Sequence, residues 1–155
     1  MKTDWKKRLI CWAIPLAVGA LGALLSGGMS NYRAINQPPL SPPGWVFPIV
    51  WTALYLLMGE ASYRVLTSGR EESQVKRALT VYGIQLALNL LWPIVFFRYQ
   101  MYLGAFIVIL LLWAAIFLTM RLFTQADETA GEMIVPYFLW VTFAAYLNLG
   151  VYLLN

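Results

Sequence analysis

The chain has 155 residues, 61% of them hydrophobic and 12% charged, with a mean hydropathy of +0.66; soluble domains carry about 25% charge, so a soluble globular core is excluded. It holds no histidine and one cysteine, Cys11, which removes Ser-His-Asp and Cys-His nucleophilic pairs, imidazole metal sites, a histidine-ligated haem and any internal disulfide. The net charge is +4 and the pI about 9.3.

Charged residues divide the chain into uncharged blocks at 9–32, 34–59, 78–97, 99–120 and 133–155. Each is long enough for a hydrocarbon core of ~30 Å, which takes about 20 helical residues. The blocks are continuously apolar rather than alternating, which predicts helices instead of barrel strands. The expected fold is an all-α integral membrane protein, a single bundle of five transmembrane helices spanning one domain, 1–155. The helices are placed at about 9–29, 42–66, 78–97, 100–121 and 133–154.

Helix one follows Lys2, Lys6, Lys7 and Arg8, but its apolar run is too long for a signal peptide and lacks a small-x-small exit. It carries Pro15 and the small residues Gly19, Ala20, Gly22, Ala23, Gly27 and Gly28, which let helix backbones approach closely in lipid. Trp5 and Trp12 are read as interface anchors and Cys11 as packing. In the connection "PPLSPPGWVFPIVW", residues 38–51, Pro38 and Pro39 favour extended chain. Ser41 is the expected N-cap of helix two, Pro42 its first residue, and Pro43 and Pro48 stiffen its start. The connection should be a stiff, ordered loop.

At about 100° per residue, Phe47, Trp51, Tyr55, Met58 and Ser62 share one face of helix two. Glu60 is expected to pair with Arg64 one turn on. The charged loop 67–77 leads to helix three, where Gln85, Asn89, Trp92 and Phe96 share a face. Pro93 cannot donate to the Asn89 carbonyl and should bend the helix there. Gly83 and Ala87 form a small-xxx-small step on the opposite face, the expected seam of a homodimer. A tight turn at 98–100 opens helix four, and a loop at 124–132 with Asp127, Glu128 and Glu132 leads into helix five. There Tyr137, Trp140, Ala144 and Asn148 share a face.

Nine basic residues (Lys2, Lys6, Lys7, Arg8, Arg64, Arg70, Lys76, Arg77 and Arg121) fall on one side of such a bundle, against Arg33 and Arg98 on the other. The positive-inside rule then places the N-terminus in the cytoplasm and the C-terminus outside, in a bacterial-type cell membrane. This asymmetry accounts for the basic pI, so no nucleic-acid partner is implied.

Polar side chains are costly against lipid, so Gln85, Asn89, Asn148 and Ser62 should point inward, where the three stripes meet. Several broad, rigid indoles with few polar groups suit a flat polycyclic ligand that stacks. The segments "NYRAINQPPLSPPGWVFPIVWTALYLLMGEASY", "QLALNLLWPIVFF" and "VPYFLWVTFAAYLN" resemble, in order and spacing, the signature segments of the TspO/MBR family of tryptophan-rich sensory and translocator proteins. The resemblance implies an intramembrane pocket, capped by the loop between helices one and two, that binds porphyrins and related haem-type tetrapyrroles. It also implies pocket-lining roles for Asn89, Trp92, Phe96, Tyr137, Phe143, Ala144 and Asn148, and cap roles for Tyr32, Pro42 and Pro43. Phe47, Trp51, Tyr55 and Trp140 complete the expected ligand site. Two departures stand out in the cap, Leu40 where an aromatic is usual and Gln37 where lysine is common. No basic residue follows Arg121, so the C-terminal sterol motif of animal members cannot be completed.

A tetrapyrrole-binding sensor or regulator without a required cofactor is the reading the residues favour. The enzymatic alternative is light-dependent porphyrin breakdown, in which Trp51 and Trp140 would be the reacting residues, the role the resemblance implies for them. Facilitated passage of a porphyrin or sterol-like ligand is the third; coupled transport is disfavoured, because inverted repeats and midplane charges are missing.

Overall fold

The computed structural model describes residues 3–28, 32 and 34–155. Lys2, Met29, Ser30 and Arg33 lie outside the described residues, so the expected end of helix one and one outer charge have no structural counterpart here. The helices are α1 (Trp5–Ser26), α2 (Val46–Leu66), α3 (Glu72–Pro93), α4 (Tyr102–Ala126) and α5 (Glu128–Leu154), with a π-helical turn at Ile94–Arg98 continuing α3. All five are long and apolar enough to cross a membrane. They close a ring in the order α1, α2, α5, α4, α3 and back to α1. The near end holds the start of α1 and the α2–α3 and α4–α5 corners; the far end holds the α1–α2 connection, the π-turn and the end of α5.

The boundaries move for identifiable reasons. Helix α1 begins a turn early because Asp4 caps it, accepting from the Lys7 N–H at 3.2 Å. It ends where Gly27 turns left-handed at φ 79°, a conformation glycine adopts without steric cost. Helix α2 begins at Val46 and not at Pro42: a residue before proline is pushed out of the helical region, which disqualifies both Ser41 and Pro42. Ser41 therefore does not cap α2, and its hydroxyl donates to the Pro38 carbonyl at 2.7 Å. Helix α3 starts at Glu72, so Lys76 and Arg77 belong to its first turns. The α-helix gives way to the π-turn directly after Pro93, consistent with the missing donor.

The expected loop at 124–132 shrinks to one residue. Asp127, extended at φ −155° and ψ 115°, ends α4 and caps α5 by accepting from the Ala130 N–H at 2.9 Å. Gly131 admits the Thr124 side chain into this corner. Glu60 does not pair with Arg64. Both Glu60 oxygens accept from Arg8 of α1, and the Trp12 Nε1–H adds a third bond at 3.3 Å, while Arg64 turns to Asp127 at 3.1 Å. Arg8 also lies 5.1 Å from the Trp5 ring centroid and 5.2 Å from that of Tyr63. The α1 and α2 backbones touch beside this pair: a methyl at Gly59 would stand 2.7 Å from Trp12 Cα and 2.8 Å from the Cys11 carbonyl oxygen.

Burial works against the Asp127 carboxylate, but the Ala130 N–H and the Arg64 guanidinium outweigh it and hold its pKa below the usual range. A lowered folded pKa contributes stability that is complete above the ordinary carboxylate range and lost as pH falls through the folded value. Asp127→Ala should cost about 1 kcal/mol near neutral pH, with the deficit shrinking on acidification in detergent thermal melts. A deficit that is constant down to pH values where carboxylates protonate would contradict the assignment.

Candidate functional site

The polar side chains of the three stripes meet in the bundle centre. Tyr55 OH donates to Asn89 Oδ1 at 2.8 Å, Asn89 Nδ2 donates to Tyr137 OH at 2.8 Å, and Tyr137 OH donates to Gln85 Oε1 at 2.6 Å. Gln85 Nε2 ends the chain on Met58 Sδ at 3.8 Å. Helices α2, α3 and α5 are thereby tied by groups that are almost fully buried, Gln85 at 0%, Tyr137 at 1% and Asn89 at 5% exposure. In lipid these groups have no water to fall back on, so each must find a partner within the protein.

Above this floor, toward the far end, lies a cavity of about 520 Å³, within the size range of small-molecule sites. Trp51 stands over Tyr137 with ring centroids 6.0 Å apart and beside Tyr55 at 5.5 Å. Phe47 meets Trp140 edge-on at 5.9 Å. On the α3 side Trp92 stacks on Phe96 at 5.0 Å, and its Nε1–H donates to Asn148 Oδ1 at 2.9 Å. Asn148 Nδ2 in turn donates to the Tyr102 carbonyl of α4 at 2.9 Å. The wall amides are thus already partnered, and the surface they present is mainly aromatic. One donor is not: Trp140 Nε1 is buried without an acceptor among the described residues, which costs free energy.

The roof, as far as it is described, is Tyr32 and residues 34–45 of the α1–α2 connection, and it is fastened to the end of α5. Asn36 N–H donates to Asn155 Oδ1 at 3.2 Å, Asn155 Nδ2 donates back to the Asn36 carbonyl at 2.8 Å, and Tyr146 OH reaches the Pro39 carbonyl at 2.7 Å. Pro38 is buried against Gly150, which has no side chain to hold it off. Inside the roof Tyr32 OH donates to the Pro42 carbonyl at 2.7 Å, Gln37 Nε2 donates to the Tyr32 carbonyl, and the Tyr32 ring meets Phe47 at 5.2 Å. Burial pushes the Tyr32 phenol above its ordinary pKa, so it stays a donor across the physiological range. Leu40, at φ 72°, points outward and is 82% exposed.

Of the expected ligand-site residues, Tyr32, Phe47, Trp51, Tyr55, Asn89 and Trp92 line the cavity, as do Phe96, Trp140, Ala144 and Asn148. Four do not. Pro42 contributes only its carbonyl to Tyr32, and Pro43 is exposed on the outer side of the roof. Tyr137 lies behind Trp51, its hydroxyl consumed by Asn89 and Gln85. Phe143 sits between Trp140 at 5.6 Å and Tyr146 at 6.2 Å, away from the cavity. The expected seam residues Gly83 and Ala87 are exposed on the outer face of α3.

Sequence reasoning missed the wall supplied by α1, with Leu16, Gly19, Ala20 and Ala23, and the contribution of Ile109 and Leu112 from α4. The α1 signal is its small residues, which in lipid also suit close helix packing. At Gly19 they serve that packing, since the Tyr55 ring occupies the space a side chain would need. Beyond it, Ala20 and Ala23 border open space.

Comparison with known proteins places the chain in a family. The family model of TspO/MBR matches residues 11–154. A tryptophan-rich protein TspO of Chlorobaculum tepidum is 38% identical over 148 residues, 94% of either chain. A tryptophan-rich sensory protein of Cereibacter sphaeroides is 39% identical over 155 residues, 100% of this chain and 95% of its own. The translocator protein of Ovis aries is 31% identical over 151 residues, 96% of this chain and 89% of its own. With three signature stretches folded around one roofed cavity and near full-length similarity to these relatives, the chain belongs to the TspO/MBR family.

Proposed function

We propose that the protein is a membrane sensor or regulator whose ligand is a flat tetrapyrrole of the porphyrin or haem type, held in the roofed cavity without any resident cofactor. The observation that carries this reading is the wall itself: Phe47, Trp51, Trp92, Phe96 and Trp140 border a space of about 520 Å³. Polycyclic ligands gain from aromatic faces at stacking distance, and the partnered amides of Asn89 and Asn148 leave few polar groups to desolvate. Relatives named as sensory and translocator proteins are consistent with a ligand-responsive membrane role.

The same reading places the near end in the cytoplasm of a bacterial-type cell, since Lys6, Lys7, Arg64, Arg70, Lys76, Arg77 and Arg121 gather there and Arg98 lies at the far end. It pairs two copies through the outer face of α3. A methyl at Gly83 would meet nothing within 4 Å, and small residues at such a face allow close helix contact.

Protoporphyrin IX titrated into the detergent-solubilised protein should quench tryptophan emission with an affinity of about micromolar or tighter. Trp51→Phe/Trp140→Phe should weaken that affinity by about ten-fold; unchanged affinity and amplitude would contradict the stacking site. Gly83→Leu should convert a chemically cross-linkable dimer into monomer while leaving quenching intact. Persistence of the dimer would move the seam elsewhere.

A further inference from the structure

The roof and the α1–α2 gap differ in how they are closed. The roof is fastened by the Asn36–Asn155 pair, the Tyr146–Pro39 bond and the Pro38–Gly150 contact, so opening it toward water breaks all of these together. Among the described residues, no hydrogen bond or ion pair fastens α1 to α2 at the far end. At the near end the two helices touch backbone to backbone at Gly59 and are clamped by Arg8 and Glu60. Past Gly19, α1 leans away from α2 and onto α3. A methyl at Gly22 would meet Pro93 Cγ at 3.4 Å and Leu90 Cδ1 at 3.6 Å, and the Leu25 carbonyl accepts from Arg98 Nη1 at 3.1 Å.

The consequence is a window. Ala20 and Ala23 of α1 and Pro48 and Thr52 of α2 both line the cavity and lie exposed on the outside of the bundle. Its rim is apolar in effect. Pro48 has no N–H, and Thr52 Oγ1 donates to the Pro48 carbonyl at 2.7 Å, so passage across it leaves no donor unpaired. All four residues sit within helices long and apolar enough to cross a membrane, so the window opens toward the bilayer side of the bundle.

We propose that the cavity is filled sideways from the bilayer, through the far-end gap between α1 and α2, by an apolar polycyclic molecule already dissolved among the acyl chains. The proposal rests on the ligand reading above for the nature of the guest, and on the window for its route. A guest taken from lipid never exposes its apolar faces to water, and the roof serves as a fixed wall.

The test reads both rates. In Ala20→Phe/Thr52→Phe, which narrows the rim with two larger apolar side chains, protoporphyrin IX association and dissociation in nanodiscs should each slow by about ten-fold or more; both positions also line the cavity, so slowed dissociation is the diagnostic reading, because a mere loss of cavity contacts would speed it. A disulfide between Asn36→Cys and Asn155→Cys, made in Cys11→Ala, pins the roof and should change neither rate. The reverse pattern, slowing by the pinned roof and none by the narrowed window, would overturn the proposal. An arm without porphyrin separates this failure from failure of the ligand reading. In bilayers of dibrominated phosphatidylcholine, bromines reaching through the window should quench parent tryptophan emission more than that of Ala20→Phe/Thr52→Phe. Equal quenching would overturn the window whether or not porphyrin binds.

Discussion

The far-end cavity depends on a chain of hydrogen bonds in a place where water cannot substitute for it. Tyr55, Asn89, Tyr137 and Gln85 come from three helices that otherwise present one another with aromatic rings, which slide and tilt at little cost. Directional bonds remove that freedom and fix the depth at which α2, α3 and α5 meet. Such bonds contribute only about 1 kcal/mol each in membrane proteins. What they supply is register: with the phenols and amides in place, Trp51 has a floor to stand on, and Trp92 is oriented by the separate bond to Asn148.

A second constraint works from the other end. Arg8 and Glu60, backed by Trp12 and Tyr63, clamp α1 to α2 at the near interface, and Gly59 allows the two backbones to touch there. A helix held to α2 at one end and to α3 and the π-turn at the other must diverge from α2 in between. The cavity and its lateral opening are thus products of where the close contacts are. Had the small residues of α1 all faced α2, the same composition would have packed shut.

Much of the fold was legible because lipid imposes simple rules. Block length and charge gave five helices, and polarity within the blocks pointed Gln85, Asn89 and Asn148 inward, where the structure has them buried. The helix ends were less legible, since they lie outside the apolar blocks that guided the reading: Asp127 compresses a supposed loop to one residue, and the Pro42–Pro43 pair delays α2. The site was readable where a stripe faced it. Tyr137 shares the stripe, yet stands behind Trp51, because helical phase gives direction and not depth. Glu60 illustrates the same limit, for proximity along one helix favoured Arg64, whereas Arg8 on a neighbouring helix won. The α1 wall escaped notice because alanine and glycine read alike whether they touch a helix or border a void.

The buried chain is tested most directly by a double-mutant cycle on Asn89→Leu and Tyr137→Phe, with unfolding free energies measured in the same detergent. If the two side chains act as one tie between α3 and α5, the singles should be non-additive, with a coupling of about 1 kcal/mol. Strict additivity, with each variant unfolding independently of the other, would contradict the account.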